Sequence, residues 1–256
     1  MAERRVLVLA GTLEARRLIA RLARMQSFDV IASLAGAVAN PGALGVETRI
    51  GGFGGADGLA DYLARQRIDA LVDATHPYAA TISANAVRAA ELAKVPLIRL
   101  ERPEWVREPG DNWTVVRDLR EAANGLPAGA HAFLSVGRKE ISAFAGRRDI
   151  RCLMRMIDPP EEGTPLPPGE LLLARPSPDE DEERDLMIAH GITHLVAKNS
   201  GGSASYAKVA AARRLRLPVI MVARPPLPEA RLAESEDAVL DWLADRFRKN
   251  CPNDSR

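Results

Sequence analysis

Short apolar runs alternate with amphipathic stretches along the chain, and this alternation predicts an α/β protein. The run at residues 6–10 is apolar throughout, as in a strand that is buried on both faces. Residues 13–25 follow with apolar positions at helical spacing. Further strands are predicted at residues 28–34, 46–50, 68–72 and 95–100, with helices at residues 59–66 and 77–93. Strands that alternate with helices favour a parallel sheet with right-handed crossovers.

A second series of the same kind begins beyond residues 101–112, which are rich in proline and charge and predict a linker. Strands are predicted at residues 132–136, 151–157, 171–174, 193–197 and 218–223. A short helix is predicted after residue 139, with longer ones at residues 177–190, 203–215 and 234–248. The sequence therefore predicts two doubly wound, parallel-sheet α/β domains, over residues 1–103 and 113–249.

Local signals predict where two of the helices begin. Pro77 is predicted at a first helical position, where its missing N–H costs nothing. Ser177, Pro178 and Glu180 match a capping box, and further acidic residues suit the positive start of the helix. This interpretation of the acidic run at residues 179–183 is preferred to a metal site.

Composition and charge narrow the function classes. The net charge of +1, without a basic stripe, gives no indication of a nucleic-acid surface. The apolar runs have strand length, so we expect no membrane span. Residues 1–6 lead into a strand without a signal sequence, so we expect a cytoplasmic protein. Two cysteines and four scattered histidines predict neither a disulfide framework nor a metal site.

The turn after the first strand, residues 11–16 (GTLEAR), lies where a Rossmann domain binds a pyrophosphate. The full G-x-G-x-x-G pattern is absent, and the alternative is an ordinary turn that Thr12 caps. The second strand ends near Ser33, without the carboxylate typical of NAD-binding domains. With Arg16 and Arg17 nearby, Ser33 favours the 2′-phosphate of NADP. The alternative is that Ser33 only ends a strand and that both arginines lie on a solvated helix face.

His76 precedes Pro77 in the loop after the fourth strand, so it is predicted to lie at the mouth of the sheet and not inside a helix. At that position it could bind cofactor or substrate, or donate a proton. The alternative is a structural histidine that forms hydrogen bonds or caps the helix.

Residues 198–202 (KNSGG) stand at a predicted strand-to-helix junction in the second half and indicate an anion site. Residues 137–139 (GRK) repeat this arrangement, with a surface charge cluster as the alternative. Tyr206 and Lys208 do not form the Tyr-x-x-x-Lys dyad of short-chain dehydrogenases, because their spacing places them about 200° apart on a helix. Tyr206 could still face a ligand from the first turn.

Together, residues 11–16, 73–79 (DATHPYA), 137–139 and 198–202 resemble the precorrin-6A reductase family of cobalamin biosynthesis, over nearly the whole chain. The resemblance implies an enzyme that uses NADPH to reduce one double bond of the precorrin-6A macrocycle and gives precorrin-6B. It also implies two Rossmann-like domains with the active site in the cleft between them. Related enzymes of the anaerobic pathway act on the cobalt-containing substrate.

The site assignments depend on the chemistry of this substrate. A precorrin carries many carboxylates around its rim, so it requires several separate anion sites. Substrate contacts are predicted at Arg138, Lys139, Lys198, Asn199, Ser200, Gly201 and Gly202. Cofactor contacts are predicted at Gly11, Thr12, Glu14, Ala15, Arg16, Ser33, Gly52, Thr75, His76 and Pro77. His76 and Tyr206 are the predicted catalytic proton donors.

Three alternatives stay open. The chain could be a cobalt-precorrin-6A reductase that uses NADH, a two-domain nucleotide- or metabolite-binding regulator without catalysis, or a glycosyltransferase-like enzyme. The expected partners are a small tetrapyrrole and, transiently, neighbouring enzymes of cobalamin biosynthesis. Neither nucleic acid nor a membrane is expected to bind.

Overall fold

The computed structural model describes residues 3–36 and 42–248 and divides into two compact units. Unit 1 comprises Met1–Arg102 and Pro226–Arg256, and unit 2 comprises Pro103–Pro225. Within the two described ranges, no helix combines the length and the apolar character that a membrane crossing requires.

Strands and helices alternate along both units. The strands are β1 (Arg4–Ala10), β2 (Phe28–Leu34), β3 (Glu47–Ile50), β4 (Ala70–Asp73), β5 (Leu97–Leu100), β6 (Asn112–Val116), β7 (His131–Ser135), β8 (Arg151–Met156), β9 (Gly169–Leu173), β10 (His194–Lys198), β11 (Pro218–Val222) and β12 (Arg231–Ala233). The helices are α1 (Leu13–Leu22), α2 (Gly55–Arg65), α3 (Ala80–Ala93), α4 (Leu119–Gly125), α5 (Glu180–Ala189), α6 (Ala207–Arg214) and α7 (Glu236–Arg248). A short 3₁₀ helix covers Ile141–Phe144.

Unit 1 is built on a sheet of six parallel strands in the order β12-β5-β4-β1-β2-β3. Successive side chains of a strand point to opposite faces. Val6 and Val8 of β1 therefore pack with α1 and α7, whereas Leu7 and Leu9 pack with α2 and α3. Burial on both faces explains why residues 6–10 of β1 are all apolar.

Unit 2 is built on a second sheet of six parallel strands in the order β6-β11-β10-β7-β8-β9. On one face, Phe133 of β7 and Leu195 of β10 pack with Met187 of α5 and Val209 of α6. The predicted fold class of two parallel-sheet α/β domains is confirmed.

The domain boundaries differ from the predicted ones. The second domain was expected over residues 113–249, but β12 pairs with β5 in the sheet of unit 1. Helix α7 then buries Val239, Trp242 and Leu243 in the core of unit 1, so residues 226–248 belong to that unit. Strand β6 begins inside the predicted linker and pairs with β11.

The start of α5 differs from the predicted capping box. The carboxylate of Asp179 accepts hydrogen bonds from the backbone N–H groups of Asp181 (2.7 Å) and Glu182 (3.2 Å). Asp179, and not Ser177, is therefore the cap of the helix. The Ser177 hydroxyl accepts instead from the Asp179 N–H, at 3.0 Å, and so supports the cap.

Candidate functional site

Parallel α/β sheets bind ligands at the carboxyl ends of their strands, where successive connections leave in opposite directions. In unit 1 this switch point lies between β1 and β4, and in unit 2 it lies between β7 and β10. The turns that follow these four strands therefore form the candidate site of each unit.

Thr12 joins the two turns at the switch point of unit 1. Its hydroxyl donates to Ala74 O at 3.0 Å and accepts from the Ala15 N–H at 3.1 Å, as the cap of α1. These bonds fix the start of α1 at the carboxyl edge of the sheet. A helix start carries partial positive charge, which suits a phosphate.

Gly11 faces open space in front of this turn. A Cβ added at Gly11 would meet no atom within 4 Å, and its φ is not in the left-handed region. No atom of the described residues therefore requires a glycine at this position. A ligand that approaches the backbone closely would require one. Glu14 Oε2 pairs with Arg102 Nη1 at 2.6 Å, which offsets a negative charge beside the turn.

A cavity of about 150 Å³ opens at the same edge of unit 1. It is lined by Ala10 at the end of β1, Ser33 of β2, Gly51 and Gly52 beyond β3, and Thr75 beyond β4, among others. Three predicted cofactor contacts, Ser33, Gly52 and Thr75, thus share one cavity. The arginines of α1 are not among its lining residues.

Arg49 is the arginine that lies beside Ser33, and the sequence patterns did not indicate it. Its guanidinium donates to Ser33 Oγ (3.2 Å), Gly51 O (2.7 Å) and Gly52 O (2.9 Å). The guanidinium carbon lies 3.8 Å from the centre of the Phe53 ring. No local sequence pattern could have indicated this pair, because Arg49 lies opposite Ser33 only through the parallel register of β2 and β3.

A buried ion pair supports the loop after β4. Asp73 Oδ2 lies 3.3 Å from Arg99 Nε, and the two side chains are 1 % and 6 % exposed. Asp73 Oδ1 also accepts from the Thr75 hydroxyl at 2.7 Å. Because a buried charge is costly without its partner, Asp73 and Arg99 hold this loop in one arrangement.

His76 lies in a turn that precedes α3. The Ala79 N–H donates to His76 O at 2.7 Å and closes the turn. Helix α3 begins after this turn, at Ala80, so the prediction that Pro77 is its first residue is wrong. The Tyr78 N–H donates to His76 Nδ1 at 3.3 Å. The neutral imidazole therefore carries its proton on Nε2, and it is a hydrogen-bond donor at that atom.

In unit 2, a carboxylate of the chain itself holds Lys198, the last residue of β10. Lys198 Nζ donates to Glu140 Oε2 at 2.6 Å, and the Gly137 N–H donates to the same oxygen at 3.2 Å. Two anion sites that the sequence predicts separately thus meet at one carboxylate. On the same turn, Arg138 is half-buried and Lys139 is exposed.

Asn199 is bound to the backbone of Trp105. The Trp105 N–H donates to Asn199 Oδ1 at 2.8 Å, and Asn199 Nδ2 donates to Trp105 O at 3.1 Å. Asn199 Nδ2 also lies 3.2 Å from Glu104 Oε2. These bonds explain an asparagine at this position without a ligand, and its contact with substrate stays a prediction.

The glycines of the same loop have structural reasons of their own. Gly201 and Gly202 have φ values of +68° and +69°, in the region that favours glycine. A Cβ at Gly201 would lie 2.2 Å from Pro103 O. The close approach at Gly201 is therefore made by the protein backbone. Ser200 beside them is buried, with its Oγ 3.5 Å from the Oγ of Ser205.

The hydroxyl of Tyr206 is already engaged. It donates to Glu108 Oε1 at 2.7 Å and accepts from Arg213 Nη2. Burial and, next, the hydrogen bond to Glu108 raise the pKa of Tyr206 above its usual value. A higher pKa makes the phenol a weaker acid, so the role of Tyr206 as a proton donor stays a prediction.

Gly201→Ala is expected to destabilise the protein by about 1–3 kcal/mol, because alanine is strained at a positive φ and its Cβ meets Pro103 O. The matched change Gly11→Ala is expected to alter stability by less than about 0.5 kcal/mol, since its Cβ meets open space. Urea unfolding of both variants and the unchanged protein measures the difference. Equal stabilities for the two variants would contradict the structural role of Gly201.

Comparison with known proteins matches residues 5–244 to the family model of precorrin-6x reductase CbiJ/CobK. A precorrin-6A reductase from Rhodobacter capsulatus is 44% identical over 242 residues, covering 94% of this chain and 96% of that protein. A precorrin-6A reductase from Rhodococcus erythropolis is 48% identical over 241 residues, with coverage of 94% and 96%.

A solved structure of CobK precorrin-6A reductase is 44% identical and superposes with a TM-score of 0.89, covering 94% of this chain and 96% of that one. A cobalt-precorrin-6A reductase from Priestia megaterium is 30% identical over 256 residues, covering 95% of this chain and 99% of that protein. Sequence, length and fold therefore agree, and the chain belongs to the precorrin-6x reductase family CbiJ/CobK.

Proposed function

We propose that the protein is an NADPH-dependent precorrin-6A reductase that forms precorrin-6B in cobalamin biosynthesis. The observation that carries this proposal is the identity of 44% and 48% to two precorrin-6A reductases, each matched over 96% of its length. The cobalt-precorrin-6A reductase of Priestia megaterium is 30% identical, so the metal-free substrate is favoured. The proposal keeps the cytoplasmic location and the transient pathway contacts that the sequence predicts.

The carboxyl edge of unit 1 fits a dinucleotide cofactor. Its strand order, β12-β5-β4-β1-β2-β3, is the one typical of dinucleotide-binding domains. The open space before Gly11 leaves room for a pyrophosphate, which the N–H groups at the start of α1 would bind. NADPH supplies a hydride from its nicotinamide when it is bound.

The end of β2 favours NADPH over NADH. A domain that binds NAD usually has a carboxylate here for the ribose hydroxyls, and a carboxylate repels a 2′-phosphate. This chain has Ser33, with Arg49 Nη1 at 3.2 Å from its hydroxyl oxygen. Arg49 supports the preference more directly than Arg16 and Arg17, because its guanidinium binds Ser33 and Gly51, which both line the cavity.

Unit 2 offers positive charges for the carboxylates of the macrocycle. Lys198 ends β10 at the switch point, and Arg138 and Lys139 lie on the turn after β7. Separate cations suit a ligand whose carboxylates are spread around its rim. Asn199 and Gly201 contribute by holding the backbone of this loop.

Reduction of a double bond requires a proton as well as a hydride. We assign proton donation to His76 in its protonated form, because loss of one proton from an imidazolium leaves a stable neutral ring. It follows Thr75, which lines the cavity of unit 1, so the cofactor site and the donor share one loop. The engaged hydroxyl of Tyr206 supports a structural role for that residue.

Oxidation of NADPH on addition of precorrin-6A tests the proposed function. We expect the absorbance of the reduced nicotinamide to fall only when both are present, with a product that has gained one hydride and one proton. If NADPH binds but precorrin-6A causes no oxidation, a regulator without catalysis is the better account. If neither NADPH nor NADH binds at micromolar concentrations, the proposal is wrong.

Ser33→Asp is expected to shift the preference from NADPH toward NADH, because the new carboxylate repels a 2′-phosphate. The ratio of the NADPH and NADH dissociation constants measures this shift.

Arg49→Gln is expected to weaken NADPH binding by about tenfold or more and NADH binding far less, since a charged hydrogen bond contributes about 1.5–3 kcal/mol. Arg17→Gln, on the exposed face of α1, is the matched control. Titration of nucleotide fluorescence gives the dissociation constants. If Ser33→Asp and Arg49→Gln both leave the ratio of the NADPH and NADH dissociation constants unchanged, the 2′-phosphate does not bind beside Ser33 and Arg49.

A further inference from the structure

In unit 2, two hydrogen-bond donors at the carboxyl edge of the sheet hold the carboxylate of Glu140. Glu140 Oε2 accepts from Lys198 Nζ at 2.6 Å and from the Gly137 N–H at 3.2 Å. Lys198 ends β10 and Gly137 follows β7, and these strands are neighbours with Ala197 opposite Ser135. The two donors thus flank the switch point of the sheet, where parallel α/β proteins bind ligands.

The local structure provides space for the Glu140 carboxylate and pairs its charge with that of Lys198. Only 14% of the Lys198 side chain is exposed, and an ammonium group that is largely buried requires a negative partner. A Cβ at Gly137 would come within 2.8 Å of Glu140 Oε2, so the glycine leaves the space into which Glu140 folds back.

Glu140 can leave this position without unfolding its surroundings. Its side chain is 34% exposed, so a change of rotamer takes the carboxylate into water. The next residue, Ile141, and then Phe144 are completely buried in the 3₁₀ helix, which anchors the backbone. With the backbone anchored in this way, Glu140 can change its position through its side chain alone.

We propose that Glu140 is an internal competitor that occupies a substrate-carboxylate site of unit 2 until a carboxylate of the macrocycle replaces it on Lys198 and Gly137. This inference rests on the proposed function. Replacement of one carboxylate by another keeps Lys198 paired with a negative charge in both states. The competitor also lowers the affinity for every carboxylate ligand, which favours exchange of the bound macrocycle and rejects ligands without a carboxylate.

Glu140→Gln tests this competition, because glutamine has the same shape and no charge. We expect precorrin-6A to bind about tenfold more tightly to the variant, measured by equilibrium dialysis in the presence of NADP⁺ so that no turnover occurs. Glu170→Gln is the matched control, since it removes a carboxylate from an exposed ion pair with Arg151. It is expected to leave the affinity unchanged.

Two further measurements separate competition from a general effect of charge. In the double variant Glu140→Gln with Lys198→Gln, the gain is expected to disappear, because the carboxylate site has lost its ammonium group. A macrocycle whose carboxylates are esterified is expected to gain nothing from Glu140→Gln. A gain that persists in either experiment overturns the proposal.

The outcomes also distinguish this inference from the proposed function. If the unchanged protein binds precorrin-6A and Glu140→Gln binds it equally or more weakly, Glu140 positions Lys198 and the competition is wrong, while the proposed function stands. If neither protein binds precorrin-6A, although both bind NADPH and are folded, the proposed function and the inference are both wrong.

Discussion

Parallel hydrogen bonding is the constraint on which the rest of this molecule depends. Because the strands of each sheet run in one direction, their carboxyl ends all meet the same edge. In unit 1 this edge carries Gly11, Ser33 and Thr75, and in unit 2 it carries Gly137 and Lys198. Residues that lie far apart in the sequence are thus brought together by strand order, and helix starts and short turns supply the positive charge that anionic ligands require.

The central part of the fold could be predicted because strands that are buried on both faces leave continuous apolar runs, as β1 does. Edge strands leave a weaker signal. In β6 only Trp113 is buried, and β12 has 3 residues, too few to show a period. The assignment of residues 226–248 to unit 1 depends on the pairing of β12, so it could not follow from local patterns.

The strand-to-helix turns that carry the candidate residues could be predicted, because a strand, a turn and a helix that follow one another are local features. Their partners could not. Arg49 reaches Ser33 only through strand register, and Glu140 reaches Lys198 across 58 residues of sequence. The glycines show the same limit, because Gly11 faces open space, whereas Gly201 packs closely against the carbonyl oxygen of Pro103. A glycine-rich loop therefore indicates close approach, but only the fold identifies what approaches.

The central claim is that the nucleotide binds at the carboxyl edge of unit 1 and the macrocycle carboxylates bind at that of unit 2. Hydrogen exchange of the backbone amides, with NADP⁺ alone and then with precorrin-6A added, tests it most directly. NADP⁺ is expected to protect residues 11–15 and 49–55, and precorrin-6A is expected to add protection at residues 137–140 and 198–202. Protection of residues 198–202 by NADP⁺ alone, without protection of residues 11–15, would contradict the account.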